Sequence, residues 1–393
     1  MKILAIETSC DETAIAIADF SGPRTRPRVK VYSHIVSSQM ALHAKFGGVV
    51  PNLARREHEK NLVPILVTAL NEANLKNKKY PRKTKELDRI LAREPLLLAQ
   101  LKKSLIPLAI PDIDAIAVTY GPGLAPALWV GVNFARALSY LWDKPLIPAN
   151  HMAGHLYSAL LQKTENNSGF KIPPFTFPVL ALLVSGNHTE LVVAKKPWHF
   201  QVIGQTRDDA AGEVFDKVAR LMGLPYPGGP AISRLAQKGD PKTYPLPSPM
   251  INTKNYDFSF SGLKTAALYL IRDITGSMSW KTKSKLTARQ KTDIAASFEK
   301  AAVDVLIAKT VRAARIYKTK TILLGGGVSA NEALRAALAA AIKKQVPGST
   351  LFIPDLSLTG DNALMIAAAA YFSKKKKPWT SIRADANVRL GDQ

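Results

Sequence analysis

The fold is decided by the N-terminal stretch Lys2-Ile3-Leu4-Ala5-Ile6, Glu7-Thr8-Ser9-Cys10-Asp11-Glu12-Thr13 and Ala14-Ile15-Ala16-Ile17-Ala18. Its first part is an uninterrupted apolar run of the length typical of a buried strand. The middle part is a turn rich in hydroxyl and carboxylate side chains, and the last part is a second apolar strand. The stretch therefore predicts a β-hairpin whose tip carries chemically active groups.

A second hairpin with the same pattern lies between Pro178 and Ala194. The apolar run Val179–Val184 leads to the polar tip Ser185-Gly186-Asn187-His188-Thr189-Glu190, and Leu191–Ala194 forms the returning strand. A pattern repeated about 180 residues apart predicts an α/β protein with two lobes built on the same plan. Such paired hairpins resemble those of the actin-like ATPase fold, where they hold nucleotide phosphates between two lobes. Two unrelated hairpins are the alternative.

Composition indicates a globular protein with a polyanionic partner. The chain has 393 residues, of which 47% are hydrophobic, and 54 Lys and Arg stand against 30 Asp and Glu, a net charge of +24. This excess favours nucleic acid as a partner, although general basicity that serves solubility is the alternative. The single cysteine, Cys10, suits a reducing compartment. The first apolar run ends at Glu7, too early for a signal peptide, and the run Ala363–Phe372 is about half a membrane span. We therefore expect a cytoplasmic protein that does not enter a membrane.

The stretch His151-Met152-Ala153-Gly154-His155 predicts a metal site. On a helix, the i,i+4 spacing places both imidazoles on one face, close enough to bind one ion. A third ligand must come from elsewhere, and Asp361 in Thr359-Gly360-Asp361-Asn362 is the best candidate because a Gly-Asp turn opens a helix there. A set of two His and one Asp suits iron or zinc. An ordinary helix face with two histidines is the alternative.

A nucleotide-binding loop is predicted after the strand Thr321–Leu324. This strand leads into Gly325-Gly326-Gly327-Val328-Ser329-Ala330-Asn331, and consecutive glycines allow a ligand to approach the backbone closely. Asp216, two turns into a helix that starts near Arg207, is a candidate acceptor for ribose hydroxyls. For Asp208 and Asp209 the simpler reading is that acids favour a helix N-terminus.

Several further segments carry polar groups whose role the sequence leaves open. The glycines of Tyr226–Pro230 let a ligand ring approach the backbone, and Phe258–Thr265 is predicted to be a loop with hydroxyls and Lys264. His43 and His58 are candidate ligands, but packing or surface histidines are the more common case. Two basic segments, residues 76–85 and the tail with Lys374–Lys377, Arg383 and Arg389, are either solvated surfaces or contacts to RNA phosphates.

Taken together, these motifs resemble the TsaD family of tRNA N6-adenosine threonylcarbamoyltransferases, once described as O-sialoglycoprotein endopeptidases. The resemblance runs through nearly the whole chain. It rests on the segments Glu7–Thr13, His43–Pro51, Arg136–Leu156, Asp208–Lys217, Tyr226–Pro230, Phe258–Thr265, Gly325–Asn331 and Asp361-Asn362.

The resemblance implies a two-lobed actin-like ATPase (ASKHA) fold with one metal ion, usually described as iron. We expect residues 1–148 and about 362–393 to form the first lobe, with an insertion at about 74–111, and residues 149–361 to form the second. The metal, Fe²⁺ or otherwise Zn²⁺, is expected between the lobes on His151, His155 and Asp361. The implied substrate contacts and nucleotide loop are Leu183, Val184, Ser185, Gly186, Asn187, Asp216, Gly229, Asn331, Gly325, Gly326 and Gly327.

The implied reaction moves the threonylcarbamoyl group from threonylcarbamoyl-AMP to N6 of adenosine 37 in tRNAs that read codons beginning with A. Asp11, Glu12 or Lys264 is the candidate for handling the proton from N6. The implied partners are tRNA, a smaller paralogous subunit similar to TsaB, and an ATPase similar to TsaE.

Two features depart from the family pattern. Asn187 replaces the second glycine of the usual Ser-Gly-Gly-His-Thr, so a side chain stands where backbone usually meets the ligand. The segment from Asn74 to Pro111 is longer than the typical bacterial connection, and the resemblance supplies no role for it.

Three other functions are compatible with parts of the sequence. A zinc metalloprotease needs Glu directly after the first His as general base, but Met152 stands there. A sugar kinase or another actin-like ATPase shares the hairpins but has no use for the His pair with a remote Asp. An inactive scaffold related to the family would not need all three metal ligands.

Overall fold

The chain folds into two compact units, Met1–Pro174 with Gly360–Gln393, and Phe175–Thr359. The structure, a computed structural model, describes residues 1–23, 25–75, 77–78, 84–108, 110–165, 169–196, 199–276, 286–373 and 375–391. Several residues of the two basic segments lie outside these ranges, namely Lys76, Lys79, Arg82, Lys83 and Lys374. Among the described residues, no helix combines the length and the apolar character needed to cross a membrane.

Among the described residues, nine strands belong to the first unit, and seven of them form one sheet. The strands are β1 Lys2–Glu7, β2 Glu12–Ser21, β3 Arg28–Ser38, β4 Asn77–Lys78, β5 Ile110–Pro111, β6 Ala115–Gly121, β7 Leu146–Asn150, β8 Gln162–Lys163 and β9 Phe170–Lys171. The sheet has the order β7-β6-β1-β2-β3-β9-β8, and β4 pairs with β5 separately. The N-terminal hairpin is confirmed, with Ile6 opposite Ile15 and a tip that begins after Glu7.

Helices cover this sheet. Those that precede the second unit are α1 Met40–His43, α2 Pro51–Ala73, α3 Leu87–Ile90, α4 Pro95–Ser104, α5 Ala125–Trp142 and α6 His151–Ser158, with a 3₁₀ turn at Ala44–Phe46. The segment of the insertion from residue 84 to residue 108 is folded, because Leu87, Leu97 and Leu101 are completely buried in the core of this unit. Pro95 begins α4, where its missing N–H costs no helical hydrogen bond.

The second unit contains the second hairpin. Its strands are β10 Val179–Val184, β11 Thr189–Ala194, β12 Phe200–Gln205, β13 Thr321–Gly325 and β14 Thr350–Phe352, and its helices are α7 Ala211–Leu221, α8 Gly228–Ala236, α9 Ser261–Thr275, α10 Ala288–Ile316 and α11 Glu332–Gln345. Short 3₁₀ turns lie at Gly327–Ala330 and Leu356–Leu358. The chain then returns to the first unit as α12, Ala363–Ser373.

The two units repeat one sheet topology, which confirms the predicted duplication. In the first, the order is β3-β2-β1-β6-β7, and in the second it is β12-β11-β10-β13-β14. In both, an antiparallel meander of three strands is followed by two parallel strands, which the intervening helices connect. The apolar run predicted from Ala363 to Phe372 is a helix buried on all sides in the first unit.

The boundary between the units differs from the expectation of 148/149 and 361/362. It lies after Pro174 and before Gly360, because β9 pairs with β3 and so joins residues beyond 148 to the first sheet. Helix α6 also packs against α12, since a Cβ atom at Gly154 would lie 3.0 Å from both Met365 and Ile366. The predicted metal ligands therefore all belong to the first unit.

Candidate active site

The His pair lies at the start of α6, as its spacing predicts. Strand β7 ends at Asn150, whose side-chain Oδ1 accepts hydrogen bonds from the backbone amides of Met152 (2.9 Å) and Ala153 (3.1 Å). This is an N-cap, which satisfies amides that have no partner within the helix. The cap fixes the first turn of α6, and with it the direction of both imidazoles.

His151, His155 and Asp361 come together in the first unit. Asp361 Oδ1 lies 3.5 Å from His151 Nε2 and 3.1 Å from His155 Nε2. The two imidazole rings are 4.6 Å apart between centroids, and one ligand atom from each of the three residues lies within 4.8 Å of the others. Both histidines are buried, while Asp361 keeps some exposure. A cluster of this size and chemistry is compatible with one bound cation.

The ring of His151 is held from behind by Glu7 and Ser9. Its Nδ1 lies 3.2 Å from Glu7 Oε2 and 3.1 Å from Ser9 Oγ, so Nε2 points toward Asp361. Burial disfavours the charged imidazole, but the carboxylates of Asp361 and Glu7 outweigh burial and raise the pKa of His151 to about 9. Sequence reasoning missed Glu7 as an orienting residue, although an acid that ends a buried strand was a visible signal. A carboxylate behind a ligating imidazole is common at metal sites.

The surroundings of His155 provide a test of whether a metal ion fits. This side chain is 1% exposed, and among the described residues neither ring nitrogen makes a hydrogen bond of good geometry, although Nε2 lies 3.1 Å from Asp361 Oδ1. A buried polar group without a partner is costly, and Nε2 faces the carboxylate of Asp361. A cation between the two would satisfy Nε2 and the carboxylate. The residues present therefore fit a divalent metal.

Of the predicted proton-handling residues Asp11 and Glu12, Glu12 lies close enough to Asp361 to interact electrostatically, and Asp11 interacts with Glu12. Burial, followed by the charges of Asp361 and Asp11, raises the pKa of Glu12 to about 9. The same causes raise the pKa of Cys10 well above its ordinary value. A cation bound by the His pair and Asp361 would oppose these shifts, because positive charge favours the ionised forms of both groups.

His43 and His58 are packing residues, the more common of the two readings. Both are completely buried. His58 Nδ1 lies 2.8 Å from Thr13 Oγ1, and its Nε2 lies 2.9 Å from the carbonyl oxygen of Cys10. His43 contacts Gln39 (3.1 Å) and accepts a hydrogen bond from the amide of Val50. Their contacts connect Val50 and α2 to the tip of the N-terminal hairpin.

A cavity of about 700 Å³ lies within the second unit. Five predicted site residues line it, namely Gly186, Asp216, Gly229, Gly327 and Asn331. The other wall residues that matter below are Ser233 and Glu299, which the sequence did not single out. The predicted contacts that do not line it are Leu183, Val184, Ser185, Asn187, Gly325 and Gly326. Leu183 and Val184 are completely buried in β10 instead.

Asp216 binds the backbone of the glycine loop that opens α8. Its Oδ1 accepts hydrogen bonds from the amides of Gly228 (2.7 Å) and Gly229 (3.3 Å). Burial raises the pKa of Asp216, and these two hydrogen bonds oppose that shift. A Cβ atom at Gly229 would meet nothing within 4 Å, so this position opens onto space. Asp216 therefore has a structural role in addition to the predicted contact with ribose.

The two glycines that follow β13, Gly326 and Gly327, have different roles. Gly326 has a φ of +88°, and a Cβ atom there would lie 2.4 Å from the carbonyl oxygen of Val184. Its requirement for glycine thus comes from the fold. A Cβ atom at Gly327 would meet nothing within 4 Å, and this residue lines the cavity. Gly327 is the glycine that a ligand can approach.

The tip of the second hairpin is closed by Ser185, whose Oγ accepts hydrogen bonds from the amides of Asn187 (3.4 Å) and His188 (3.1 Å). Within the described part of the chain, the non-glycine residues with positive φ are Asn74, Asp143, Met250 and Lys318. Asn187 could replace glycine either by adopting a positive φ or by offering its amide to a phosphate group, and the structure does not show the first of these. The replacement of glycine here causes no backbone strain, and Gly186 is the tip residue that lines the cavity.

Asn331 caps α11 and belongs to a buried polar cluster. Its Oδ1 accepts a hydrogen bond from the amide of Leu334 (2.7 Å), and its Nδ2 donates to Ser233 Oγ (2.8 Å) and Glu299 Oε1 (2.6 Å). Ser233 Oγ also donates to Glu299 Oε1, at 2.7 Å. These contacts fix three side chains in the cavity wall.

Lys264 lies in the second unit and is paired with an acid. Its Nζ is 2.5 Å from Asp209 Oδ2, and Asp209 also binds Lys217 at 2.6 Å. The segment Phe258–Thr265 was predicted to be a loop, but α9 begins within it at Ser261. Asp208 explains the difference, because it accepts hydrogen bonds from the amides of Phe260 and Ser261 and so caps this helix. The structure does not bring Lys264 together with Asp11 and Glu12 within one unit.

The fold and this arrangement define a class, an α/β protein of the actin-like type with a duplicated sheet and a cluster of two histidines and one aspartate. HypF in its phosphate- and nucleotide-bound form shares the fold, with a TM-score of 0.50 and 14% identity over 95% of this chain and 46% of that one. The family model TsaD: tRNA N6-adenosine threonylcarbamoyltransferase matches residues 30–82 and 95–368.

Curated relatives agree with that match. The tRNA N6-adenosine threonylcarbamoyltransferase of Enterococcus faecalis (strain ATCC 700802 / V583) is 41% identical over 98% of this chain and 93% of its own. The enzyme of the same name in Bacillus subtilis (strain 168) is 42% identical over 96% of this chain and 91% of its own. The chain belongs to the TsaD family and is a transferase, which confirms the family resemblance and decides against a protease or a sugar kinase.

Proposed function

We propose that this protein transfers the threonylcarbamoyl group from threonylcarbamoyl-AMP to N6 of adenosine 37 in tRNAs that read codons beginning with A. The bond between the carbamoyl carbon and the phosphate oxygen breaks, and AMP leaves with that electron pair. The N6 nitrogen forms the new bond to carbon and loses a proton. The observation that carries the proposal is the cluster of His151, His155 and Asp361 in a chain of this family.

The cluster is proposed to hold one divalent metal, Fe²⁺ or Zn²⁺. A metal bound there would supply positive charge that can hold an anionic donor and polarise a carbonyl group. Glu7 and Ser9 keep His151 in the orientation that presents Nε2, and the cap by Asn150 keeps α6 in register. The unsatisfied imidazole of His155 supports this role, because a purely structural histidine would have found a hydrogen-bond partner.

The cavity in the second unit is proposed to bind the adenylate. Gly186, Gly229 and Gly327 leave the backbone open to a ligand, since no atom lies within 4 Å of a Cβ built on any of them. Backbone amides at such positions stabilise the negative charge of phosphate groups. Asp216 is proposed to accept a hydrogen bond from ribose.

Asp11 or Glu12 is proposed to receive the proton that N6 loses. Both lie at the tip of the N-terminal hairpin, where the charge of Asp361 acts on Glu12, and a carboxylate there can accept a proton once it is ionised. Lys264 is proposed to act indirectly, by fixing Asp209 through their ion pair.

The partners are proposed from the charge and the family. The net charge of +24 and the exposed Lys375, Lys376 and Lys377 support binding of the tRNA backbone. A smaller TsaB-like subunit and a TsaE-like ATPase are proposed as protein partners. A cytoplasmic location is proposed because tRNA is the acceptor and the single cysteine suits a reducing compartment.

The proposal is tested by supplying threonylcarbamoyl-AMP and unmodified tRNA to the protein together with the two proposed partners. Digestion of the tRNA and mass spectrometry should then detect N6-threonylcarbamoyladenosine. A tRNA that carries guanosine at position 37 is the matched control and should stay unmodified. Absence of the modified nucleoside in the first tRNA would contradict the proposal.

A further inference from the structure

Glu299 stands in the wall of the cavity with one carboxylate oxygen bound and one unbound. It lies within α10 and is 7% exposed. Oε1 accepts the hydrogen bonds from Ser233 and Asn331, at 2.7 Å and 2.6 Å. Among the residues that the structure describes, none donates a hydrogen bond to Oε2. Because Glu299 lines the cavity, that oxygen is available to a ligand.

A structural role alone does not require a carboxylate here. Burial disfavours the charged form of Glu299 and raises its pKa, and the hydrogen bonds from Ser233 and Asn331 only partly oppose this shift. A glutamine could accept both hydrogen bonds through its amide oxygen without that cost. A buried acid at a cavity wall is therefore better explained by a ligand that donates a hydrogen bond to it.

Asn331 cannot be that ligand's main polar contact in the arrangement seen here. Its two amide hydrogens are directed to Ser233 and Glu299, and its oxygen binds the amide of Leu334. To contact a ligand, Asn331 would have to give up one of these bonds. Glu299 Oε2 needs no such exchange.

The position of Glu299 relative to Asp216 indicates which ligand group it contacts. Gly229 and Ser233 are four residues apart on α8, so they lie on one face about 6 Å apart. Asp216 binds the amide of Gly229, and Glu299 binds the hydroxyl of Ser233. Two carboxylates thus line the same helix face. A ribose presents two neighbouring hydroxyls, each a donor, and this pair of acceptors matches them.

We propose that Glu299 accepts a hydrogen bond from a ribose hydroxyl of the adenylate and, with Asp216, selects a ribonucleotide over a deoxyribonucleotide. The inference rests on the proposed function, since it takes an adenylate as the occupant of the cavity. It adds a specificity-determining residue that neither the sequence motifs nor the family comparison single out.

The test measures binding of AMP, 2′-deoxy-AMP and 3′-deoxy-AMP to the wild-type protein and to Glu299→Gln by isothermal titration calorimetry. Glutamine keeps the shape and the bonds to Ser233 and Asn331 but loses the charged acceptor. Glu299→Gln should weaken AMP about tenfold, the size of one charge-assisted hydrogen bond. Affinity for the deoxynucleotide that lacks the contacted hydroxyl should not change, so the preference for AMP over that analogue should disappear.

Glu213→Gln is the matched control. It removes a carboxylate from α7 that pairs with Lys217 and does not line the cavity, so the affinities for all three nucleotides should remain at the wild-type values. If Glu299→Gln lowers the affinity for AMP and for both deoxynucleotides equally, the inference is overturned. Glu299 would then contact the adenine amino group or only support the cavity wall. Unchanged affinity for all three would also overturn it. A wild-type protein that binds no AMP would contradict the proposed function as well.

Discussion

Substitution of Gly326 should lower the stability of the protein, whereas substitution of Gly327 should weaken nucleotide binding. The two glycines are neighbours in the sequence, yet only Gly326 has a positive φ and a backbone atom in the place of a Cβ. Gly327 opens onto the cavity and has no atom within 4 Å of a Cβ. Gly326→Ala therefore perturbs the fold, while Gly327→Val perturbs the space that the adenylate would occupy.

The size of the first effect follows from two contributions. A non-glycine residue held at positive φ costs about 1–2 kcal/mol. The contact of 2.4 Å between the new Cβ and the carbonyl oxygen of Val184 must be relieved by movement of β10, which adds about 1–3 kcal/mol. For a domain of this size, 1 kcal/mol lowers Tm by about 2–4 °C, so the sum of the two contributions should lower the Tm of Gly326→Ala by roughly 4–20 °C.

Differential scanning calorimetry and titration with AMP measure both effects. Gly327→Val should keep Tm within about 2 °C of the wild type, because a single exposed substitution rarely costs more than about 0.5 kcal/mol. It should weaken AMP by at least about tenfold, which corresponds to about 1.4 kcal/mol. If Gly326→Ala is as stable as the wild type, or if Gly327→Val binds AMP normally, the assignment of these two glycines is wrong.

Three further predictions concern the second hairpin, α9 and the basic segments. Asn187→Gly and Asn187→Val should both keep affinity for AMP, whereas Gly186→Val should lose it, because Gly186 and not Asn187 lines the cavity; a loss in Asn187→Val alone would refute this. Asp208→Ala should lower stability by about 1 kcal/mol in urea unfolding at pH 7, since it removes the cap of α9. Burial opposes the charge of Asp208, but hydrogen bonds from Ser259, Phe260 and Ser261 outweigh it and hold the pKa of Asp208 below its ordinary value. The difference in unfolding free energy between the wild type and Asp208→Ala should therefore shrink as pH falls below about 4. A difference that persists undiminished at pH 2 would argue against this role of Asp208. The last prediction concerns the basic insertion, in which four residues are replaced with Ser, namely Lys78, Lys79, Arg82 and Lys83. The replacement should weaken tRNA binding and flatten its salt dependence by up to about one unit for each lost phosphate contact. Unchanged affinity and an unchanged slope would exclude this segment as an RNA contact.

The sequence was sufficient where local pattern alone determines structure. The apolar runs of both hairpins and the i,i+4 spacing of His151 and His155 depend on residues close in the chain, and the structure places them as predicted. The third ligand, Asp361, was found because a helix start is also a local signal.

The remaining features depend on contacts between distant segments. Glu299 is one acid within a long helix, and only its contacts with Ser233 and Asn331 distinguish it from a surface residue. In the same way, Asp208 caps a helix that begins some fifty residues later, which is why the segment at Ser261 was predicted to be a loop. The boundary between the units differs from the prediction because the pairing of β9 with β3 cannot be read from the composition of β9.

The most direct test of the central claim is the metal content of His155→Ala, measured by inductively coupled plasma mass spectrometry beside its transfer activity. His199→Ala, which changes an exposed histidine outside the cluster, is the matched control. The wild type and His199→Ala should each carry about one divalent metal ion per chain and modify tRNA. His155→Ala should carry only background metal and form no modified nucleoside, because two ligands cannot hold the ion against water. Full metal occupancy in His155→Ala, or full transfer without metal, would contradict the account.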